Sequence, residues 1–159
     1  MDQDQRADYV ERWGLLLESQ GEPPIAGRIY AQVATSRAPH LTLQQLADQL
    51  GVSRASVSTN TRRLVRNGML TRVALPDSRE LAYAVDATGT REMVAQIATA
   101  ARALEALAEE GLQLQPDVVT PGTQGLRAMR EIFHELGDGL ERLASRGARR
   151  TRTAKQVAQ

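Results

Sequence analysis

The sequence predicts a mainly α-helical fold that carries one small β-hairpin. Aromatic residues make up only 3% of the 159 residues, so the core must be built from Leu, Val, Ile and Ala, which favours helices. Apolar residues recur at helical spacing along most of the chain. The period changes to that of strands only between residues 70 and 85, which places the hairpin there.

Composition excludes several classes of function. The chain has no Cys, so disulfides and thiolate metal sites are excluded, which fits a reducing cytoplasm. No apolar run approaches the roughly 20 residues of a membrane helix, and the polar, acidic start is unlike a signal peptide. Phosphate-loop, dinucleotide-binding and serine-hydrolase glycine motifs are missing as well. We expect a cytoplasmic protein that is no enzyme, needs no cofactor and has no membrane partner.

Residues 1–22 are predicted as an N-terminal helical segment. Apolar residues recur at helical spacing between positions 9 and 20, and Gly21 ends the helix. These residues are Tyr9, Val10, Trp13, Leu16 and Leu17. The Pro23-Pro24 pair then suits the first turn of a second helix, which should end before Pro39. Its buried stripe is Ile25, Ile29 and Val33.

The most informative stretch runs from Leu41 to Gly68. Thr42 and Gln45 form a capping box at the start of a short helix. Gly51 is a left-handed stop, and Ser53 opens another helix two residues later. The residues of this second helix that we expect to be buried are Val57, Thr61, Leu64 and Val65. Two short helices joined by so tight a turn are typical of a helix-turn-helix unit.

Two short strands are predicted next, over residues 70–75 and 80–85. Pro76 and Asp77 suit the middle of a type I turn between them. A hairpin directly after a helix-turn-helix unit is a wing. Residues 23–87 are therefore predicted as one winged helix-turn-helix domain.

The outer face of the second helix, about residues 53–67, predicts contact with duplex DNA. In helix-turn-helix proteins this helix enters the major groove. Its outer face carries Arg and small neutral residues but no acid, whereas a solvated face usually mixes Glu with Lys. Such a face suits phosphates and base edges. The predicted DNA-binding residues are Arg54, Ala55, Ser56, Ser58, Thr59, Arg62, Arg63, Arg66, Arg72 and Arg79.

Their roles follow from their reach. Residues near the helix N-terminus reach deepest, so we expect Arg54, Ala55, Ser56, Ser58 and Thr59 at or near base edges. Arg62 and Arg63 either read guanine or hold phosphates, and Arg66 is expected on a phosphate. The wing, about residues 70–85, lies at the minor groove, where Arg79 beside its tip is the candidate for insertion. Arg72 either touches phosphate or is solvated.

Residues 88–145 are predicted as C-terminal helices, with a linker over 111–122 that contains Pro116 and Pro121. The first of these helices has one apolar face made of Met93, Ile97, Ala101, Leu104 and Leu107. The second carries a heptad seam of Leu126, Met129, Phe133, Leu136, Leu140 and Leu143. The seam either packs inside the monomer or meets its copy across a two-fold axis, and we favour the dimer.

Charge is segregated along the chain, although the net charge is only +1. Residues 51–79 hold six Arg against one acid, residues 80–141 eleven acids against four Arg, and residues 142–155 six bases and no acid. Residues 146–159 also lack apolar periodicity, so we predict a basic disordered tail there. Concentrated bases suggest a polyanionic partner; the alternative is a solvated face followed by a disordered tail.

Two further clusters invite a ligand. Aromatic residues on helices that should converge near the dimer core either form plain core or cage a quaternary amine effector. They are Tyr9, Trp13, Tyr30 and Phe133. Glu131, His134 and Asp138 share a helix face, which we interpret as a solvated acidic face, so no metal is expected.

Residues 9–86 resemble the MarR-type winged-helix regulators and, more narrowly, their GbsR branch. The segments that carry the resemblance are Gly27–Tyr30, Leu43–Arg54, Val57-Ser58, Arg62–Val65 and Gly68–Leu70. The resemblance implies a dimeric repressor or activator in a prokaryotic cytoplasm. It also implies that the N-terminal helix, with Trp13, and the C-terminal helices form the dimer.

We therefore expect a homodimeric, sequence-specific regulator of transcription, most simply a repressor, that binds a pseudo-palindromic duplex operator. A small-molecule effector of unidentified chemistry is a further possible partner. One alternative is a winged helix that serves only as a protein-interaction module. Another is a protein whose basic tail binds nucleic acid without sequence preference.

Overall fold

The structure is a computed structural model that describes residues 3–76 and 80–157, with side chains for 4–76 and 80–145. The described elements are α1 (Gln3–Ser19), α2 (Pro24–Ala34), β1 (Leu41–Thr42), α3 (Leu43–Leu50), α4 (Arg54–Arg66), β2 (Thr71–Ala74), β3 (Leu81–Ala84), α5 (Ala87–Gln113) and α6 (Pro121–Val157). The predicted mainly helical fold with a small sheet is confirmed. The chain divides into two compact units, residues 1–90 and 91–159.

In the first unit, α1 and α2 cross closely enough for their backbones to touch. A Cβ atom added to Gly27 would stand 2.0 Å from the carbonyl oxygen of Trp13, so only glycine fits at this crossing. Helix α1 begins at Gln3, several residues before the predicted start at position 9. The sequence assigned residues 1–22 to a separate segment, whereas α1 packs along α2 within the unit that holds the winged helix.

Local capping sets the helix-turn-helix as the sequence predicted. The Thr42 hydroxyl accepts from the Gln45 backbone N–H at 3.3 Å, and the Gln45 side chain accepts from the Thr42 backbone N–H at 2.9 Å. Gly51 adopts the left-handed conformation with φ of 64°. The Ser53 hydroxyl then accepts from the Ser56 backbone N–H at 3.2 Å. The capping box, the stop and the second cap are confirmed.

The core of the first unit is aliphatic and well sealed. Ile29, Leu46, Val57 and Leu64 each have at most 1% of their surface exposed. Thr61 is also fully buried. Its hydroxyl donates to the Val57 carbonyl at 2.9 Å, so this polar group has a partner without water. These side chains hold α4 by its inner face, which leaves its opposite face at the surface.

The hairpin has a third strand that the sequence did not reveal. β2 and β3 pair antiparallel, with Arg72 opposite Tyr83, and β1 pairs with the other edge of β3, so the order is β1-β3-β2. Two residues of strand are too short to show a period. Residues 77–79, at the predicted wing tip, lie outside the described residues.

The second unit contains an antiparallel helical hairpin. Arg102 of α5 pairs with Glu141 of α6. Glu109, later in α5, pairs with Arg130, earlier in α6, so the two helices run in opposite directions. The connection is shorter than the predicted linker, because α5 continues to Gln113. The α6 backbone is described as helical to Val157, and the basic disordered tail predicted for residues 146–159, whose side chains are not described, stays a prediction. Ala, Arg and Lys favour helix even where no apolar period is present. Among the described residues, no helix has the length and apolar character needed to cross a membrane.

Candidate nucleic-acid interface

The outer face of α4 is an exposed surface of arginines and small side chains. The side chains that the structure places in the open are Arg54, Ala55, Thr59, Arg62 and Arg66. Ser56 and Ser58 lie at its margins, half-buried. Helix α4 contains no Asp or Glu at any position, so its own residues contribute no negative charge to this face.

Two of these arginines have polar neighbours. Arg62 donates through Nε to the Ser58 carbonyl at 3.2 Å, which lays its stem along the helix while the residue stays exposed. Arg54 lies 3.9 Å from the carboxylate of Glu80, the residue before β3, and its side chain remains 59% exposed. At that distance, between exposed groups, the pair is weak and leaves Arg54 available to a polyanion.

Arg63 does not belong to the exposed face. It lies on the flank of α4 that also carries Asn60, and it is half-buried. Its guanidinium donates to the carboxylate of Glu22, in the connection between α1 and α2, at 2.5 Å. The helical period alone had grouped Arg63 with Arg62, although the two side chains leave the helix on different sides.

The wing contributes one described candidate. Arg72 is exposed on β2, opposite Tyr83 of β3. Arg79, predicted for the minor groove, lies outside the described residues. In the described part of the wing, Arg72 is therefore the one predicted DNA-binding residue, and it is exposed.

Sequence reasoning missed three residues that shape this surface. Asn60 is 7% exposed, and its amide donates to the Ser56 carbonyl at 2.9 Å. Its position three residues after Val57 could have revealed its burial. Glu22 and Glu80 are far from α4 in sequence, so no local pattern could have assigned them as partners of Arg63 and Arg54.

The predicted dimer seam on α6 is partly covered and partly open. Leu126, Phe133 and Leu140 are half-buried, whereas Met129, Leu136 and Leu143 are 37%, 42% and 60% exposed. Ile132, which the heptad reading omitted, is 62% exposed. Trp13, predicted for the same interface, packs on Tyr30 of its own chain with ring centroids 4.4 Å apart.

The aromatic residues of the first unit pack on one another. Tyr9 meets Trp13 edge to face at 6.4 Å, Trp13 meets Tyr30, and burial raises the pKa of the Tyr30 phenol. The open cleft beside Tyr9 and Trp13 is also lined by Arg12 and Leu16. Arg12 in turn pairs with Asp8 at 3.1 Å. Phe133 belongs to the second unit.

The acidic face of α6 is occupied by basic side chains. Asp138 and Glu141 both accept from Arg102, and His134 lies 2.7 Å from Glu105. Hydrogen bonds from Arg102 lower the pKa values of Glu105, Asp138 and Glu141. Within the described part of the chain, no group of three or more candidate ligands could hold a metal ion.

Comparisons with known proteins identify similar chains. A model of the MarR family matches residues 33–79, which include α3, α4 and the start of the wing. The chain is 27% identical over 147 residues to the HTH-type transcriptional regulator MmpR5 of Mycobacterium tuberculosis, and 87% of each chain is covered. A solved structure described as a transcriptional regulator has a TM-score of 0.73 and 25% identity, with 91% of this chain and 99% of that chain covered.

The matched segment coincides with the part of the chain that carries the arginine face and its two capped helices. The relatives that match most of the chain are transcriptional regulators. The fold of the first unit and the match over residues 33–79 make the chain similar to winged-helix transcriptional regulators of the MarR family.

Proposed function

We propose that the chain binds a pseudo-palindromic duplex as a homodimer, with α4 in the major groove, and represses transcription by occupying its operator. The observation that carries the proposal is the exposed face of α4, which presents Arg54, Arg62 and Arg66 on a helix without a single acid. Phosphates attract such a face, and the short side chains between the arginines allow close approach to base edges. The protein acts in the cytoplasm, where its DNA is.

Residues on the exposed face divide by depth. Ala55 and Thr59 are exposed near the start of α4 and are proposed at base edges. Arg62, one turn later, either reads guanine or holds a phosphate, and Arg72 of the wing contacts phosphate. Minor-groove insertion by Arg79 and the narrower resemblance to the GbsR branch stay predictions.

The homodimer is proposed from the open apolar stripe of α6. Met129, Ile132, Leu136 and Leu143 follow one another at intervals of three, four and seven residues, and each is more than a third exposed. A periodic stripe of this kind on a helix is typical of an association surface. Two copies related by a two-fold axis would present two α4 helices to two half-sites, one helical turn of DNA apart.

DNA binding by the full chain tests the function. We expect specific binding to duplex DNA taken from the intergenic regions beside the gene that encodes this chain. The affinity should fall steeply as the salt concentration rises. Arg62→Ala should cost about 1–3 kcal/mol of operator binding if a bidentate base contact is lost, or lower the salt slope by about one if a phosphate contact is lost. Arg127→Ala, which removes one exposed arginine from α6, is the matched control.

Several outcomes would contradict the proposal. A wild-type chain that binds no duplex even at low salt would overturn the function and favour a protein-interaction module. Equal affinity for every duplex would support non-specific nucleic-acid binding instead. A wild-type chain that sediments as a monomer at micromolar concentration would refute the dimer.

A further inference from the structure

The ion pair between Arg63 and Glu22 joins the reading helix to a distant part of the chain. The two residues are 41 positions apart, and their side chains are 38% and 31% exposed. Arg63 lies in the last turns of α4, next to Leu64, which is fully sealed in the core. Glu22 lies in the connection between α1 and α2. The pair therefore links the C-terminal half of α4 to the corner where α1 turns into α2.

The backbone at Glu22 is held by local structure on both sides. The Glu22 backbone N–H donates to the Leu17 carbonyl at 3.0 Å, which closes the end of α1. Gly21 takes a positive φ of 79° to make the turn, and Pro23 and Pro24 fix the chain directly after it. A carboxylate on such a corner can hold the Arg63 guanidinium in place.

A small cleft opens beside the C-terminal end of α4. Its volume is about 190 Å³, and Arg63 and Glu22 are among its lining residues. Leu17, Ala26 and Met69 form part of its apolar wall. The ion pair thus lies at the edge of this cleft, on the flank of α4, whose inner face is held in the core by Leu64.

We propose that Glu22 is a positioning residue for DNA reading, acting through Arg63, and that Arg63 is not a phosphate ligand. The inference rests on the proposed function, because orientation of α4 matters only if α4 meets the duplex. The tie sets the angle at which the exposed face approaches the groove. Base contacts depend on that angle, whereas phosphate attraction from the remaining arginines depends on it little.

If Arg63 instead bound phosphate, removing the Glu22 carboxylate would change DNA affinity in the opposite direction. If Arg63 were a phosphate ligand masked by Glu22, removing the carboxylate would free a positive charge for DNA and strengthen binding to every duplex. If Glu22 positions α4, the same change weakens operator binding and leaves non-specific binding as it was. Glu22→Gln separates the two because it removes the charge and keeps the shape.

The experiment measures operator and non-specific affinity of Glu22→Gln, Arg63→Gln and wild type over a range of salt. We expect both variants to lower the ratio of operator to non-specific affinity by roughly tenfold, the scale of one lost base contact, with unchanged salt slopes. Glu18→Gln, which removes an exposed acid one turn earlier, should leave the ratio unchanged. Unaltered melting temperatures in all variants would exclude general loss of fold.

A second measurement needs no DNA. Hydrogen exchange of the α4 backbone amides should become faster in Glu22→Gln near Arg63, while α3 is unaffected. Stronger binding by Glu22→Gln, a salt slope lowered by about one in Arg63→Gln, or unchanged exchange would each overturn the inference while leaving the proposed function intact. A wild-type chain that binds no duplex would overturn both.

Discussion

The two units bury different kinds of side chain. In the first unit, large aliphatic residues such as Ile29, Leu46 and Leu64 are sealed to within 1% exposure. In the second, the described buried side chains are small ones, Ala98, Ala101, Ala108 and Thr123. Several large apolar residues of α5 and α6 remain exposed, whereas others are half-buried; the exposed ones are Ile97, Leu104, Leu107, Met129, Ile132, Leu136 and Leu143. The apolar residues of the first unit thus form a closed core, whereas those of α6 leave an exposed stripe suited to the proposed association.

Polar contacts also divide the two units. Within the second, Arg102 of α5 donates to Glu105 of its own helix and to Asp138 and Glu141 of α6. A Cβ atom at Gly137 would come within 3.0 Å of the Arg102 Nε atom, so this glycine makes room for the guanidinium to cross the helix. Where small residues supply little apolar burial, this network connects the two helices.

The largest expected effect is at the helix crossing of the first unit. Gly27→Ala would place a methyl group 2.0 Å from the Trp13 carbonyl oxygen, so α1 and α2 must separate. We expect a loss of more than about 4 kcal/mol in the free energy of unfolding, above the usual range for overpacking because the obstacle is backbone. Urea unfolding followed by the fluorescence of the single tryptophan, Trp13, reports this unit.

Gly125→Ala is the matched control for that substitution. A Cβ atom at Gly125 meets nothing within 4 Å, and the residue lies in α6. Its stability should be unchanged or raised by up to about 1 kcal/mol. Equal urea midpoints for Gly27→Ala and wild type would show that α1 and α2 do not cross as closely as described.

Truncation of one leucine in each unit compares the sealed core with the open stripe. Leu64→Ala should cost about 3 kcal/mol of unfolding free energy, because it leaves a cavity in the sealed core. Leu136→Ala should change the unfolding free energy of the monomer by no more than about 0.5 kcal/mol, since Leu136 is 42% exposed. Its effect should appear in sedimentation as a weaker dimer. The comparison fails if Leu136→Ala destabilises the monomer as much as Leu64→Ala does.

The smallest effect concerns acid and the second unit. Arg102 lowers the pKa values of Glu105, Asp138 and Glu141, so the stability that these carboxylates contribute is present above about pH 4 and is lost as pH falls through the lowered values. Arg102→Gln should therefore have a lower melting temperature than wild type at pH 7. The difference in melting temperature should disappear as pH falls below about 4. Circular dichroism measures the melting temperature.

Arg130→Gln is the control for Arg102→Gln, because Arg130 pairs with Glu109 alone on the same hairpin. Its gap to wild type at neutral pH should be smaller than that of Arg102→Gln. A gap for Arg102→Gln that stays constant down to pH 2 would mean that the three carboxylates contribute no pH-dependent stability.

Where the sequence predicted well, the interactions are local. Thr42, Gln45, Gly51 and Ser53 act on backbone groups within four residues, so their spacing alone identified both helices and the turn between them. The α6 seam was visible for the same reason, since a helical face repeats over short intervals. The sequence also separated a mostly exposed arginine face from the buried Val57, Thr61 and Leu64.

Where the sequence misled, the deciding partner is distant. β1 exists only because β3, some 40 positions later, offers an unpaired edge. Propensity and period describe what a segment can do alone, and neither records which neighbour it meets.

By itself the sequence determined the two capped helices, the hairpin after them and the concentration of arginine on α4, because each follows from residues a few positions apart. Only the tertiary structure decided that Arg63 turns away from Arg62, since its partner Glu22 lies 41 positions earlier and is brought near by the packing of α2 against α4. It also decided how much of each apolar face is covered, because burial depends on neighbours from the whole fold.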